Sequence, residues 1–219
     1  MNVVVCLITA VAAYLLGSIP TGYLVGMAKG IDVRKVGSGN IGATNAFRIL
    51  GKGPGIFVLL VDGLKGYVAV ALVPRLILRF FDSNSGWGDQ VQWLKIIAAI
   101  SVVLGHNYTC WLKFKGGKGI ATSAGVLAAL VPVALVISLS TWIIVCLLTR
   151  YVSAASIAAS LILPPATYVA GYGWLLAAVT GAMCVLAVYK HKGNIVRLMN
   201  GTENRLGQKK APPSTGTAS

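Results

Sequence analysis

Acidic side chains are scarce in this chain. Five Asp and Glu stand against nineteen Lys and Arg in 219 residues, a formal net charge of +14, and only 11% of the residues are charged. A soluble domain carries about 25% charged residues, so an ordinary water-facing surface is excluded. The four cysteines (Cys6, Cys110, Cys146 and Cys184) show no CxxC spacing and fall mostly inside apolar runs. They read as small buried hydrophobes, and neither a disulfide nor a metal site is expected. Neither His106 nor His191 heads an HxxxxD box, because the fifth residues on are Trp111 and Val196. The KGGKG stretch fails as a mononucleotide P-loop, since Lys118 is followed by glycine and position 112 is leucine. No string of carboxylates within the apolar runs suggests a proton-coupled pump, and no Ser or Cys nucleophile has a partnered base.

What the chain has instead is hydrophobic length, at 56% of its residues. Met1–Ala28, Gly53–Phe81, Val91–Leu112, Gly119–Thr149 and Tyr151–Tyr189 each approach or exceed the ~20 apolar residues that cross a bilayer. The expected class is all-α and polytopic. The first run has no cation before it and no cleavage site after it, so it reads as a retained helix. Cations crowd into the loop after that run (Lys29, Arg34, Lys35, Arg48, Lys52), the loop Lys113–Lys118, and the tail after Tyr189, whereas DSNSGWGDQ (Asp82–Gln90) has two acids and no cation. Interleaving with membrane segments disfavours nucleic acid as the partner, and the positive-inside rule puts the three cationic segments in the cytoplasm with the N-terminus outside.

Parity then requires an even number of crossings between Lys118 and the tail. As one helix, Gly119–Thr149 would be about 45 Å long against a hydrocarbon core of about 30 Å, with Pro132 near its middle. Splitting it gives two short helices, Gly119–Val131 and Pro132–Thr149. Pro164, Pro165, Gly171 and Gly173 mark an outer turn inside the last run. The expectation is a seven-helix bundle over residues 1–208, N-terminus outside and C-terminus cytoplasmic, followed by a disordered tail at 209–219.

Three glycine-and-cation clusters fall on one face: GSGNIGATNAFR (37–48), FKGGKGIAT (114–122) and HKGNIVRLMNGTENR (191–205). Glycines let successive amides point into one concavity that binds phosphate oxygens, and helix starts at Thr44–Phe47 or Gly53 and at Gly119 favour an anion. Gly37, Gly39, Gly42, Gly116, Gly117 and Gly119 supply such turns. Ser38, Asn40, Thr44, Asn45 and Thr122 add side-chain donors, and Arg48 and Lys118 add charge. Asp62 and Lys65 in VDGLKG share a helix face inside an apolar run, either as a structural ion pair or as substrate contacts. His106 in LGHNY is a hydrogen-bonded packing residue, a donor to substrate oxygen, or a base. His191 carries the same alternatives. Glu203 either pairs with Arg197 or Arg205, or orients a substrate hydroxyl.

With GSIPTGYL (17–24), GSGNIGATN (37–45), VDGLKG (61–66), GHNYTCWLKFKGGKGIAT (105–122), RYVSAASI (150–157) and HKGNIVRLMNGTENR (191–205) together, the chain resembles the bacterial acyl-phosphate:glycerol-3-phosphate acyltransferases, the PlsY family. It departs where the family reads GHxFPxF and this chain GHNYTCW, and at Lys192, where an arginine is usual. The resemblance implies a seven-helix enzyme of the cytoplasmic membrane that needs no cofactor or obligate protein partner. It would move an acyl group from acyl-phosphate to the 1-hydroxyl of glycerol 3-phosphate, giving lysophosphatidic acid and inorganic phosphate among membrane lipids. Residues 37–45, with Ser38, Thr44 and Asn45, would hold the donor phosphate. Arg48, Lys118, His191 and Asn194 would hold the acceptor, with Arg197 and Glu203 nearby, and the hydroxyl proton would pass either to the substrate phosphate or to His106. The rival class is a transporter for an organic phosphate, which would want cations and broken helices at mid-membrane. No inverted repeat supports it.

Overall fold

The computed structural model describes residues 2–81 and 88–207, and these contain helices and no strands. Residues 82–87 of the acidic connection and the tail 209–219 lie outside the described residues. The helices are α1 (Val3–Ser18), α2 (Thr21–Ala28), α3 (Ala43–Leu50), α4 (Lys52–Ala71), α5 (Val73–Phe81), α6 (Gly88–Asn107), α7 (Ile120–Leu130), α8 (Pro132–Thr149), α9 (Val152–Thr167), α10 (Gly173–Lys190) and α11 (Lys192–Met199). Among the described residues, four continuous stretches are long and apolar enough to cross a membrane: Val3–Ala28, Lys52–Phe81, Pro132–Thr149 and Val152–Lys190.

Breaks in these helices have separate causes. Proline lacks an N–H and is at home in a helix's first turn, so α8 starts at Pro132 after Val131 leaves helical geometry. Pro164 and Pro165, expected to mark the outer turn, instead lie inside α9. Their fixed φ suits a helix, and the reversal falls on the one-turn π segment Tyr168–Tyr172 and the residue after it, with Gly171 at φ +82° and Gly173 at +80°. Residues 192–199, expected to make a glycine turn, form α11 instead, with Asn194 in its first turn.

A further break at Ile19–Pro20 divides the first apolar run. It releases backbone carbonyls that, in lipid, must find partners. The Ser18 carbonyl accepts the Thr109 hydroxyl at 2.6 Å, and the Ile19 carbonyl accepts the Lys65 ammonium at 2.9 Å. Two polar side chains remote in sequence, one from α4 and one from the loop after α6, thus satisfy one interruption.

Helices pack backbone to backbone through small residues, the arrangement that association within lipid favours. A Cβ at Gly17 would sit 2.1 Å from the Val102 carbonyl oxygen, fixing α1 on α6, and one at Gly125 would sit 1.8 Å from that of Gly63, fixing α7 on α4. Around these contacts Ala13, Ala69, Val70, Val102 and Val126 are fully buried. Gly125→Val is expected to drive α4 and α7 apart and to cost about 3 kcal/mol, the upper range for overpacking. A lowered thermal midpoint in detergent checks this; an unchanged midpoint would show that the helices yield.

Candidate active site

The first polar loop turns at Gly37 and Gly39, with φ of +67° and +70°, and is then stapled from α3. Asn45 accepts the Ser38 amide on Oδ1 at 2.9 Å and donates Nδ2 to the carbonyls of Val33 and Val36, at 2.9 and 3.2 Å. Asn40 accepts the Gly42 amide at 2.8 Å, and the Gly39 amide goes to the Val36 carbonyl at 3.2 Å. The picture of amides 37–45 all opening toward a phosphate is therefore corrected. Those of Ser38, Gly39 and Gly42 hold the loop together, and Asn45 is its brace. The hydroxyls of Ser38 and Thr44 remain, together with the first-turn amides of Ala43 and Thr44, which lack intrahelical acceptors in a helix with no side-chain cap.

The second loop is gripped by the end of α6. The Gly116 amide donates to the Asn107 carbonyl at 3.2 Å and the Gly117 amide to the His106 carbonyl at 3.0 Å. Close approach, more than phosphate cradling, explains these glycines: a Cβ on Gly117 would lie 2.1 Å from His106 Nε2, and one on Gly116 2.1 Å from the His106 carbonyl oxygen. Gly119 takes φ +80° as the residue before α7, against the Asn107 side chain. Between them stands Lys118, whose ammonium donates to Asn194 Oδ1. Burial, with Arg197, Arg48 and Lys190 nearby, pulls the Lys118 pKa down from 10.5 to about 8, although Glu203 opposes the shift.

The third cluster is the junction of α10 and α11 and the strap that follows. His191 Nδ1 lies 2.8 Å from the Ala187 carbonyl, an acceptor, so that nitrogen carries a proton and Nε2 has the lone pair. Burial, helped by the Lys118 charge, lowers the His191 pKa to about 4, so the ring is neutral at pH 7. Residues 202–206 fold back over the start of α9. Glu203 receives Asn194 Nδ2 at 2.8 Å, Ser153 Oγ at 3.0 Å and Arg197 Nε at 2.7 Å. Burial raises its pKa, but these three donors outweigh burial and hold the carboxyl below its ordinary value. The Asn204 carbonyl accepts Arg48 at 3.3 Å, and the Leu206 amide donates to the Arg150 carbonyl at 2.8 Å. Of the pairings open to Glu203, the one with Arg197 is formed.

These pieces face one cavity of about 280 Å³. Ser38, Asn40, Gly42, Thr44, Asn45 and Arg48 line it from the first loop, Lys118 and Gly119 from the second, and His191, Asn194 and Glu203 from the third. Asp62 and His106 reach its wall from α4 and α6. Gly37, Gly39, Gly116, Gly117, Thr122, Lys65 and Arg197 are not among the lining residues. Lys65 is committed elsewhere: its ammonium meets Asp62 Oδ1 at 2.8 Å as well as the Ile19 carbonyl, with both charged groups almost wholly buried. Thr21 donates to the same carboxylate at 3.1 Å, and His106 Nδ1 lies 3.7 Å away.

Ser153, Trp142 and Ser156 also line the cavity and had not been singled out as site residues. Ser153 and Ser156 lie in RYVSAASI, where a serine among alanines carries no local sign of its partner fifty residues on. A smaller cleft of about 80 Å³ shares Ile120, Ala124, Leu139, Trp142 and Ser156 with the cavity and continues between apolar side chains such as Leu127, Leu163 and Met183.

A cavity carrying cations and polar side chains, framed by helix starts and joined to an apolar cleft inside a bundle of apolar helices, defines an integral membrane protein with a site suited to an anionic molecule. Comparison with known proteins narrows this class. The family described as glycerol-3-phosphate acyltransferase matches residues 7–201. A glycerol-3-phosphate acyltransferase of Synechococcus sp. (strain JA-3-3Ab) is 46% identical over 207 residues, 93% of this chain and 94% of that one. The crystal structure of PlsY (YgiH), an integral membrane glycerol 3-phosphate acyltransferase, in its glycerol 3-phosphate form aligns with a TM-score of 0.80 and 39% identity, covering 92% of this chain and 96% of that one. Its lysophosphatidic acid form aligns at 0.78 and 38%, covering 92% and 95%. The chain belongs to the glycerol-3-phosphate acyltransferase (PlsY) family and is a membrane acyltransferase of that kind.

Proposed function

We propose that this enzyme takes its acyl group from an acyl-phosphate, esterifies the 1-hydroxyl of glycerol 3-phosphate and releases inorganic phosphate, at the cytoplasmic face of a bacterial inner membrane. The observation that carries the reading is the meeting of Ser38, Lys118 and Asn194, from three separate cationic segments, on one cavity that continues into an apolar cleft. Such a cavity suits two anions and a chain. Ser38, Thr44 and the first turn of α3 hold the donor phosphate; Arg48, Lys118 and Asn194 hold the acceptor phosphate; the acyl chain occupies the cleft past Trp142. His191, neutral with its Nδ1 proton engaged, offers Nε2 as an acceptor for the glycerol hydroxyl.

In the chemical step the hydroxyl oxygen attacks the acyl carbonyl carbon, the new ester C–O bond forms, and the bond to the donor phosphate breaks. The departing phosphate keeps the electron pair and takes the hydroxyl proton. His106 is not needed as base, since Nδ1 faces Asp62 and Nε2 is packed on Gly117. Because the donor is already activated, positioning and charge stabilisation carry catalysis.

Joint participation of the three cationic segments in one cavity supports placing them on the same side of the bilayer. Seven crossings follow if α1 with α2 and α4 with α5 each span once, and α6, α7, α8, α9 and α10 span singly, N-terminus outside and C-terminus cytoplasmic, over residues 1–208. The purified enzyme in detergent is expected to release phosphate from a synthetic acyl-phosphate only when glycerol 3-phosphate is present. Release independent of the acceptor, or activity only in sealed vesicles, would overturn the reading, the latter in favour of an organic-phosphate transporter.

A further inference from the structure

The end of α6 touches the Lys118 loop at every glycine of KGGKG, and it does so from outside the substrate cavity in the case of Asn107. The His106 carbonyl takes the Gly117 amide, the Asn107 carbonyl takes the Gly116 amide, and the same Asn107 carbonyl receives the Lys190 ammonium at 3.0 Å. The side chains follow the backbone. The His106 ring presses Nε2 on Gly117, and Asn107 Oδ1 would meet a Cβ on Gly119 at 2.7 Å. Asn107 is fully buried, and its amide has no hydrogen-bond partner among the described residues, so its contact with Gly119 is one of shape. On its other edge the His106 ring faces the Asp62 carboxylate, which Lys65 and Thr21 hold in turn. The ring is thus wedged between a fixed anion in α4 and the residue immediately before Lys118.

We infer that His106 and Asn107 are positioning residues: the last turn of α6 is a template that sets where Lys118 meets the acceptor phosphate, and His106 carries no proton in the reaction. A displacement of a substrate-holding group by about 1 Å costs on the order of 10²-fold in rate or affinity, so a methyl group forced between template and loop is a sensitive probe. The inference rests on the assignment of Lys118 to glycerol 3-phosphate made above.

The test is steady-state kinetics of phosphate release in detergent for Gly117→Ala, His106→Ala, His106→Gln, the double variant Gly117→Ala/His106→Ala, and Lys118→Ala, with tryptic cleavage at Lys113, Lys115 and Lys118 read in parallel. Gly117→Ala and His106→Ala are each expected to raise KM for glycerol 3-phosphate about tenfold or more with kcat within about threefold, and to speed tryptic cleavage of the loop. The double variant should be no worse than His106→Ala, since removing the ring makes room for the methyl. His106→Gln should recover part of the loss, and the loss should be the same from pH 6 to 9. Multiplying defects in the double variant, or a kcat defect in His106→Ala that changes with pH, would overturn the inference. Faster cleavage with a normal KM in both His106→Ala and Lys118→Ala would instead overturn the acceptor assignment and leave the template standing.

Discussion

Lys118→Ala lowers kcat/KM for glycerol 3-phosphate by about 10²–10³-fold while the protein remains folded, a loss of the size seen when one preorganised donor to developing or bound charge is removed. The Lys118 ammonium donates to Asn194, and the end of α6 accepts two amides of its loop. Its lowered pKa adds a signature that a surface lysine would not show. With Lys118 assigned to the acceptor phosphate as proposed, kcat/KM is expected to hold below pH 7 and to fall as the pH rises through about 8, where this ammonium loses its proton. An ordinary lysine would keep its charge to beyond pH 10. In Lys118→Arg the guanidinium stays charged, and the decline near pH 8 should vanish even though the absolute rate is lower. A wild-type profile flat to pH 9.5, or an identical decline in the arginine variant, would remove Lys118 from acceptor binding.

Asp62→Ala unfolds the protein more readily than any single change at the cavity rim, by about 3–5 kcal/mol, because it leaves an uncompensated buried charge. Lys65 is 4% exposed and Asp62 2%, and the carboxylate also holds Thr21 and faces His106. Lys65→Met in the same chain removes the stranded ammonium, so the double variant should be more stable than Asp62→Ala alone. It should not reach wild type, since the Ile19 carbonyl then loses its donor. Thermal midpoints of Asp62→Ala, Lys65→Met and the double variant in one detergent decide this. A double variant equal to the sum of the singles would show that the two groups are energetically independent, whatever their 2.8 Å separation.

How much of this was legible beforehand follows from how local each cause is. The interruption at Pro132 was readable because a proline states its own effect on the chain. The break at Ile19–Pro20 also carries a proline, but Met1–Ala28 read as one retained helix, because the groups that satisfy the break, Thr109 and Lys65, are remote in sequence. Pro164 and Pro165 were misread for the converse reason: a proline can sit inside a helix, and it is the positive φ of Gly171 and Gly173 that turns the chain. The three glycine-rich clusters did meet on one cavity, as their charge and composition led one to expect. The division of labour within them was hidden. Asn45 and Gly117 look like phosphate ligands in sequence, yet one braces its own loop and the other lies against His106. Ser153 was invisible as a site residue because what distinguishes it is Glu203, fifty positions away.

The strap at residues 202–206 has a bearing on synthesis. Translation delivers the membrane helices first, and α1 to α10 can be threaded into lipid while the last segment is still inside the ribosome. Arg48, Ser153, Nδ2 of Asn194 and the Arg150 carbonyl acquire these partners only when Glu203, Asn204 and Leu206 emerge. A nascent chain stopped near residue 200 is therefore expected to be inserted yet inert.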